Sequence, residues 1–193
     1  MMPLNTTELG QIIKENLIYP ESSNLQQRGI ADKIEDECTL IFKKYYEDAK
    51  DPSSRRSIED VSIGDAYIDT KSSDESLDFK MPNMISIDRL KNDIIDKDKE
   101  LVYNFIVYNS ETRKIVDNFV LNIFELNWDH LKIQNLGKGQ LQITSMKKFL
   151  ENPKSSMTKE EWIHTLKQNA IIFYKSLEEK CRQRGEYWDT WKK

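Results

Sequence analysis

The stretch Glu59-Asp60-Val61-Ser62-Ile63-Gly64-Asp65-Ala66-Tyr67-Ile68-Asp69-Thr70-Lys71 decides how the rest of the chain is read. Val61-Ser62-Ile63 and Ala66-Tyr67-Ile68 are short β-prone runs. Gly64-Asp65 between them is turn chemistry, because glycine takes a positive φ at little steric cost. The spacing predicts a tight β-hairpin. Such a hairpin brings its ends together, with Asp60 at one end and Asp69 and Lys71 at the other. Residues two apart on a strand share a face, so Asp69 and Lys71 point the same way. Two carboxylates and one ammonium are expected to converge on one small volume.

Carboxylates are hard oxygen ligands suited to Mg²⁺, which keeps several waters and is held by one or two acids together with a substrate phosphate. A cation held there lowers the pKa of bound water and steadies charge on a phosphate during in-line displacement. A lysine alongside orients or deprotonates the water and offsets the negative charge of the transition state. The chemistry pointed to is hydrolysis of a phosphodiester. A solvated surface hairpin would use the same residues, and with 32% of the chain charged an Asp-x-Lys triplet arises easily.

The 193 residues suffice for one domain with a continuous core. A single domain over 1–193 is expected, with an N-terminal helical or dimer element (1–28), a core (29–150), and a C-terminal helix and tail (158–193). The net charge of −4 argues against non-specific coating of nucleic acid but leaves room for a local basic groove. Met1 to Gly10 has no basic start or apolar run, and no stretch reaches the ~18 apolar residues of a membrane span. A soluble, intracellular chain with no membrane partner is expected. Cys38 and Cys181 are far apart and the histidines are only His130 and His164, so neither a zinc site nor a disulfide framework is expected.

Residues 4 to 18 carry an amphipathic pattern (Leu9, Ile12, Ile13, Leu17, Ile18), with Thr6 or Thr7 as the N-cap and Pro20 as the stop. A stronger helix is expected from Gly29 to Glu47, where Ile30, Ile34, Cys38, Ile41, Phe42 and Tyr45 form a stripe. Glu35 and Glu37 flank it, either as boundary residues with their heads in water or as an acid leaning toward the hairpin. Residues 49 to 57 compose a loop, and 72 to 81 are polar and aperiodic. Ser86 is placed to cap a helix running to about Lys97. Leu101 to Tyr108 is almost continuously apolar, as a strand buried on both faces requires. Ile115 to Asn127 is a further β-rich run, and one helical turn is expected at Trp128 to Leu131.

Two short strands are expected around Gly137-Lys138-Gly139. Between Lys132 and Lys154 stand five lysines (132, 138, 147, 148, 154) against one acid, Glu151. Lysine and glutamine near such a tip suit phosphates and base edges, although a solvated hairpin has the same composition. Thr158-Lys159-Glu160-Glu161 is a capping box opening a helix to about Arg184, whose Trp162, Leu166, Ile171, Phe173, Tyr174 and Leu177 are expected to cover the sheet. The tail, with Trp188 and Trp191, could dock on the body, join a partner chain or lie on DNA.

Taken in order, these pieces resemble the PD-(D/E)xK type II restriction endonucleases, in the branch of HincII and EcoRV. The motif is carried by Asp60 with Asp69-Thr70-Lys71, although Glu59 stands where the family name writes proline. Pro82-Asn83-Met84-Ile85-Ser86 resembles the run that follows the motif lysine in that branch. Asn135 to Ile143 falls at its base-reading segment, and Lys159-Glu160-Glu161-Trp162 resembles the start of its closing helix. The resemblance implies an α/β (α+β) restriction-endonuclease-like fold with a central mixed β-sheet flanked by helices. It implies Mg²⁺-dependent cleavage of double-stranded DNA at a short palindromic site by a homodimer, with a cognate DNA methyltransferase, in a prokaryotic cytoplasm. By carry-over, Asp60, Asp69 and the Thr70 carbonyl would bind metal, and Lys71 would position the attacking water. Glu35 resembles the helix acid that follows a glycine, here Gly29, and Asp65 is the competing first acid.

The loop from Ser72 to Asn83 and the Gly137-Lys138-Gly139-Gln140 tip would then face DNA. Ser72, Ser73, Lys80 and Ser86 belong to that surface, with Asn83, Asn135 and Gln140 suited to adenine edges and Lys138 to guanine or phosphate. The same acids would serve a repair or structure-selective nuclease, and a non-catalytic DNA-binding protein is the alternative of another class.

Overall fold

A computed structural model describes residues 4–21, 27–52, 54, 57–76, 83–134 and 139–191. The chain is mixed α/β, with a central mixed sheet flanked by helices. Helix α1 (Thr6–Asn16) and helix α2 (Gln27–Tyr45) lead into β1 (Ala49–Lys50), β2 (Val61–Ile63) and β3 (Ala66–Asp74). Strand β4 (Asn83–Ser86) passes directly into α3 (Ile87–Arg89), which continues with π winding through Leu90–Ile95. Strands β5 (Glu100–Asn109) and β6 (Lys114–Asn122) follow, then single 3-10 turns at Ile123–Glu125 and Trp128–His130. The chain closes with β7 (Leu131–Gln134), β8 (Gln140–Ile143), α4 (Met146–Glu151) and α5 (Lys159–Asp189).

The larger sheet runs β1-β2-β3-β5-β6. Only β3 and β5 pair in parallel, in register from Ala66 opposite Glu100 to Asp74 opposite Tyr108. The smaller sheet runs β4-β8-β7 and is antiparallel. Leu101 to Tyr108 is buried throughout, as its almost continuously apolar sequence requires of a strand covered on both faces. Val102, Ile106 and Tyr108 pack with Leu9, Ile13, Ile34 and Phe42 of α1 and α2. Leu101, Tyr103 and Phe105 point the other way, into Met84, Ile87, Leu141, Phe149 and Trp162. Strand β5 is thus the shared wall of two cores.

The hairpin forms at the expected residues. Val61 opposes Ile68 and Ile63 opposes Ala66, and Gly64 takes φ +58° at the first central position, where a II′-type turn demands it. Ser86 accepts from the Arg89 amide as the expected cap. The Thr158–Glu161 capping box is closed in both directions.

Several local expectations are corrected. Asn5, not Thr6 or Thr7, caps α1 by accepting from the Glu8 amide, and Ile18 lies beyond the helix, 79% exposed. Strand β6 stops at Asn122, where Asn122 and Glu125 make a reciprocal cap that winds the chain into a turn. Helix α4 was not expected. It starts at Ser145 and buries Met146 and Phe149. Helix α5 runs on to Asp189, and Ile171 and Tyr174 stay exposed instead of covering the sheet. Tyr45 is likewise exposed.

Trp162 ties α5 to the body. It is wholly buried, its Nε1 donates to the Leu126 carbonyl at 2.9 Å, and its ring meets Phe124 edge-on and Trp128 at 4.9 Å. Trp162→Ala is expected to cost about 3–5 kcal/mol in urea unfolding. Ile172→Ala, at a 66% exposed position on the same helix, is expected to stay within about 0.5 kcal/mol.

Candidate active site

Strand β2 is only three residues long, so β3 loses its neighbour on that side after Ile68. Asp60, the residue just before β2, finishes the ladder in two ways. Its amide donates to the Ile68 carbonyl at 2.8 Å, and its Oδ2 accepts from the Thr70 amide at 2.7 Å. A side-chain oxygen therefore stands where the next strand's carbonyl would have been, and it pins the Asp60 carboxylate beside β3. Asp69 and Lys71 share a face of β3, as two-residue spacing dictates, and Lys71 Nζ donates to Asp69 Oδ1 at 2.6 Å. The Thr70 side chain lies on the opposite face, 1% exposed, and its hydroxyl accepts from Asn104 Nδ2 at 3.4 Å.

Glu35 reaches this free edge from the helix layer. Its neighbours Ile34 and Cys38 are buried against the sheet, which fixes the rotation of α2 and leaves Glu35 half-buried beside the hairpin. Burial pushes its carboxyl up to about 7, Lys71 pulls it down, and Asp60 and Asp69 push it up again. Glu37 is exposed, as a boundary residue should be. Asp69 is only 7% exposed and is also pushed up to about 7, by burial first, then Asp60, against the pull of Lys71. The Asp60 charge acts on the Asp69 carboxyl, so the two acids are near neighbours. Asp65 is no part of this cluster: it sits in the turn at the far end of the hairpin, paired with Lys99.

Among the described residues, no three Asp, Glu, His or Cys side chains gather as a ready-made metal cage. The donor set here is two adjacent carboxylates in a desolvated, over-negative pocket, with strand backbone and open space beside them. That fits Mg²⁺, which takes one or two acids and keeps its waters, better than a metal needing a full protein cage. Asp60 and Asp69 are the side chains that would hold it.

A cavity of about 490 Å³ opens on the cluster. Asp60, Asp69 and Lys71 form one wall, and Ser86, Arg89 and Gln140 come from β4, α3 and β8. The smaller sheet thus stands across the opening. Gln140 Nε2 donates to the Met84 carbonyl at 2.9 Å and Gln142 Nε2 donates to Asn83 Oδ1 at 3.2 Å, so these amides first tie β8 to β4. Asn83 is exposed at the start of β4.

Ser72 and Ser73 do not present their hydroxyls. Both oxygens are enclosed by the chain without a hydrogen-bond partner, because β3 is covered on both faces there. Lys80, Asn135 and Lys138, with Gly137, lie outside the described residues. Of the basic stretch, Lys132, Lys147 and Lys148 are exposed, while Lys154 pairs with Glu125.

Two residues at the site went unread in the sequence. Arg89 lines the cavity, and its signal was present: it stands three residues after the Ser86 cap, on the same side of the first helical turn. Tyr103 opposes Asp69 across the β3–β5 ladder, with its hydroxyl wholly buried. Burial, then the Asp69 charge, holds that phenol well above its usual range.

The two raised carboxyls set a pH dependence. Between the ordinary carboxylate range and about 7 the folded chain holds protons that the unfolded chain has released, so stability falls as pH rises through that window. Metal-free protein is expected to lose melting temperature from about pH 5 to pH 7, and Asp69→Asn is expected to flatten that slope. A slope unchanged in the variant would remove Asp69 as its source.

No protein-family model matches the chain, and no curated protein matches it.

Proposed function

We propose that this chain is a Mg²⁺-dependent endonuclease with a restriction-endonuclease-like fold, hydrolysing phosphodiesters of double-stranded DNA at a short palindromic site. The observation that carries the reading is the gathering of Asp60, Asp69 and Lys71 at one free strand edge, open to a cavity whose far wall is a second sheet, with the Glu35 carboxyl near enough to feel all three charges. The resemblance to the HincII and EcoRV branch adds the rest of the proposal: a homodimer in which each subunit cuts one strand, a prokaryotic cytoplasmic setting, and a cognate DNA methyltransferase.

The work of each residue follows from its place. Asp60 is oriented by the Thr70 amide, so its carboxylate is fixed before any ligand arrives. Asp69 is held by the ladder to β5 and by Lys71. Bound Mg²⁺ would supply charge neutralisation at the phosphate and a more acidic water. Lys71 exchanges its bond to Asp69 for one to the attacking water or a phosphate oxygen, which aligns the nucleophile and offsets charge as it develops. Glu35, half-buried and poised near neutrality, is suited to hold or release a proton at the edge of the site. Ser86, Arg89 and Gln140 face the same opening and supply hydroxyl, guanidinium and amide groups for the DNA.

The reading is tested by incubating plasmid DNA with the protein in Mg²⁺ or EDTA. Discrete bands that need Mg²⁺ are expected. Asp69→Ala is expected to abolish them without loss of folding, and Lys71→Ala to slow them by about 10²–10⁴-fold. Full cutting by Asp69→Ala would sink the site. Cutting confined to branched or single-stranded substrates would assign the same acids to a structure-selective nuclease, and DNA binding without cutting would leave a binding protein.

A further inference from the structure

Helix α5 meets the body at two places. Near its start, Trp162 donates to the Leu126 carbonyl, just beyond the point where β6 of the larger sheet ends at Asn122. About three turns and ~16 Å further on, Phe173 is the last side chain of that face to join the core among the described residues. There the helix lies against the smaller sheet. A β-carbon on Gly139 would stand 2.9 Å from Phe173 Cε1 and 3.2 Å from Ile87 Cδ1. Packed carbons sit about 3.5–4.0 Å apart, so the contact admits only glycine, and the φ of +77° asks for glycine as well. Gly139 is bonded in turn to α3, because the Ile87 amide donates to its carbonyl at 3.0 Å. Tyr174, the next residue of α5, donates its hydroxyl to Asp88 Oδ1 at 2.8 Å. The rings of Phe173 and Tyr174 brace each other edge-on, 5.2 Å apart.

Each residue held in this way is the chain neighbour of a group in the cavity wall. Ile87 follows Ser86, Asp88 precedes Arg89, and Gly139 precedes Gln140. Helix α5 therefore spans from the end of the larger sheet, which carries the acids, to the two segments that carry the wall opposite them.

We propose that Phe173 and Tyr174 are positioning residues for DNA selection: through Gly139 and Asp88 they fix where Ser86, Arg89 and Gln140 stand relative to the acids. The selective role rests on the nuclease reading of that cavity, and the holding of the wall does not. Hydrogen bonds to base edges weaken steeply with distance and angle, so a wall that shifts loses discrimination first. The acids are held by other means, Asp60 by the Thr70 amide and Asp69 by the ladder to β5, so the chemical step is independent of this contact. Nor is the Tyr174 bond a general stabiliser. Tyr174 is 40% exposed and Asp88 is exposed, and losing a bond between such groups leaves global stability nearly unchanged.

The test compares Phe173→Ala and Tyr174→Phe with Ile172→Ala in the full chain. Without metal or DNA, hydrogen exchange of the Ile87 amide is followed by NMR, with amides of β3 and β5 as the internal reference. Phe173→Ala is expected to speed Ile87 exchange about tenfold or more and Tyr174→Phe about threefold, while the reference amides keep their rates. Phe173→Leu, which keeps an apolar contact on Gly139, is expected to restore most of the protection. In Mg²⁺, Phe173→Ala and Tyr174→Phe are expected to raise KM for plasmid cleavage about tenfold with kcat within about twofold, and to add bands at sites that the wild type leaves uncut. Ile172→Ala is expected to match the wild type throughout. Ile87 exchange that stays unchanged, or that rises equally with the reference amides, would overturn the proposal. So would a fall in kcat at constant KM, which would place the helix with the acids. A wild type that cuts no DNA would overturn the selective role together with the nuclease reading, whereas unchanged Ile87 exchange in a protein that cuts would overturn this proposal alone.

Discussion

The bond from the Thr70 amide to Asp60 Oδ2 is the constraint on which the rest of the site depends. Strand β2 ends too early to pair with the second half of β3, and an unpaired amide at a buried strand would be costly. Asp60 supplies the missing acceptor from its side chain. The same bond then decides where a carboxylate stands, which way it faces and how far it is from Asp69. Chain economy and site geometry are one feature here: the ladder is completed by the group that the chemistry needs.

Strand β5 makes that geometry stiff. It pairs with β3 over nine positions and with β6 on its other side, and it is buried between two cores. Asp69 and Lys71 sit on β3, one ladder step from that doubly paired strand. The opposite wall belongs to the smaller sheet, whose Met84, Ile85 and Leu141 pack in one core with Tyr103 and Phe105 of β5. Acids on one sheet and a polar wall on another give an opening whose two sides carry different chemistry.

Much of this was legible in the sequence, and the failures have physical causes. The hairpin was readable because a two-residue turn with glycine leaves almost no choice of register, and register fixes which side chains meet. Strand β5 was readable because only double burial tolerates a run of eight residues that is apolar at all but Asn104. The cap of α1 was misread because Asn5, Thr6 and Thr7 are all competent caps, and the backbone chooses among them. Helix α4 was invisible because six residues are too few to show a period. Ser72 and Ser73 were placed on the DNA-facing surface by the resemblance, which cannot reveal that β3 is covered on both faces there. Ile171 and Tyr174 were assigned to the core from their stripe, yet a stripe says only that a face is apolar, and α5 outruns the body it packs on.

The electrostatics of the edge follow from how these layers meet. Asp60 and Asp69 arrive from the sheet and Glu35 from α2, with Lys71 as the ammonium among them. Three carboxylates and one ammonium leave the cluster two negative charges in excess, in a place where burial already opposes ionisation. Two carboxyls respond by rising toward neutrality. The excess equals the charge of one divalent cation, so a cation bound there would compete with protons for the same carboxylates, and removing either acid would relax both demands at once. Tyr103 adds a reason why the cluster cannot relax by swelling: its buried ring and hydroxyl close the site from below, one residue across the ladder from Asp69. The strain is electrostatic and local, the scaffold beneath it is apolar and closely packed, and only the cavity side is open to accept a counter-charge.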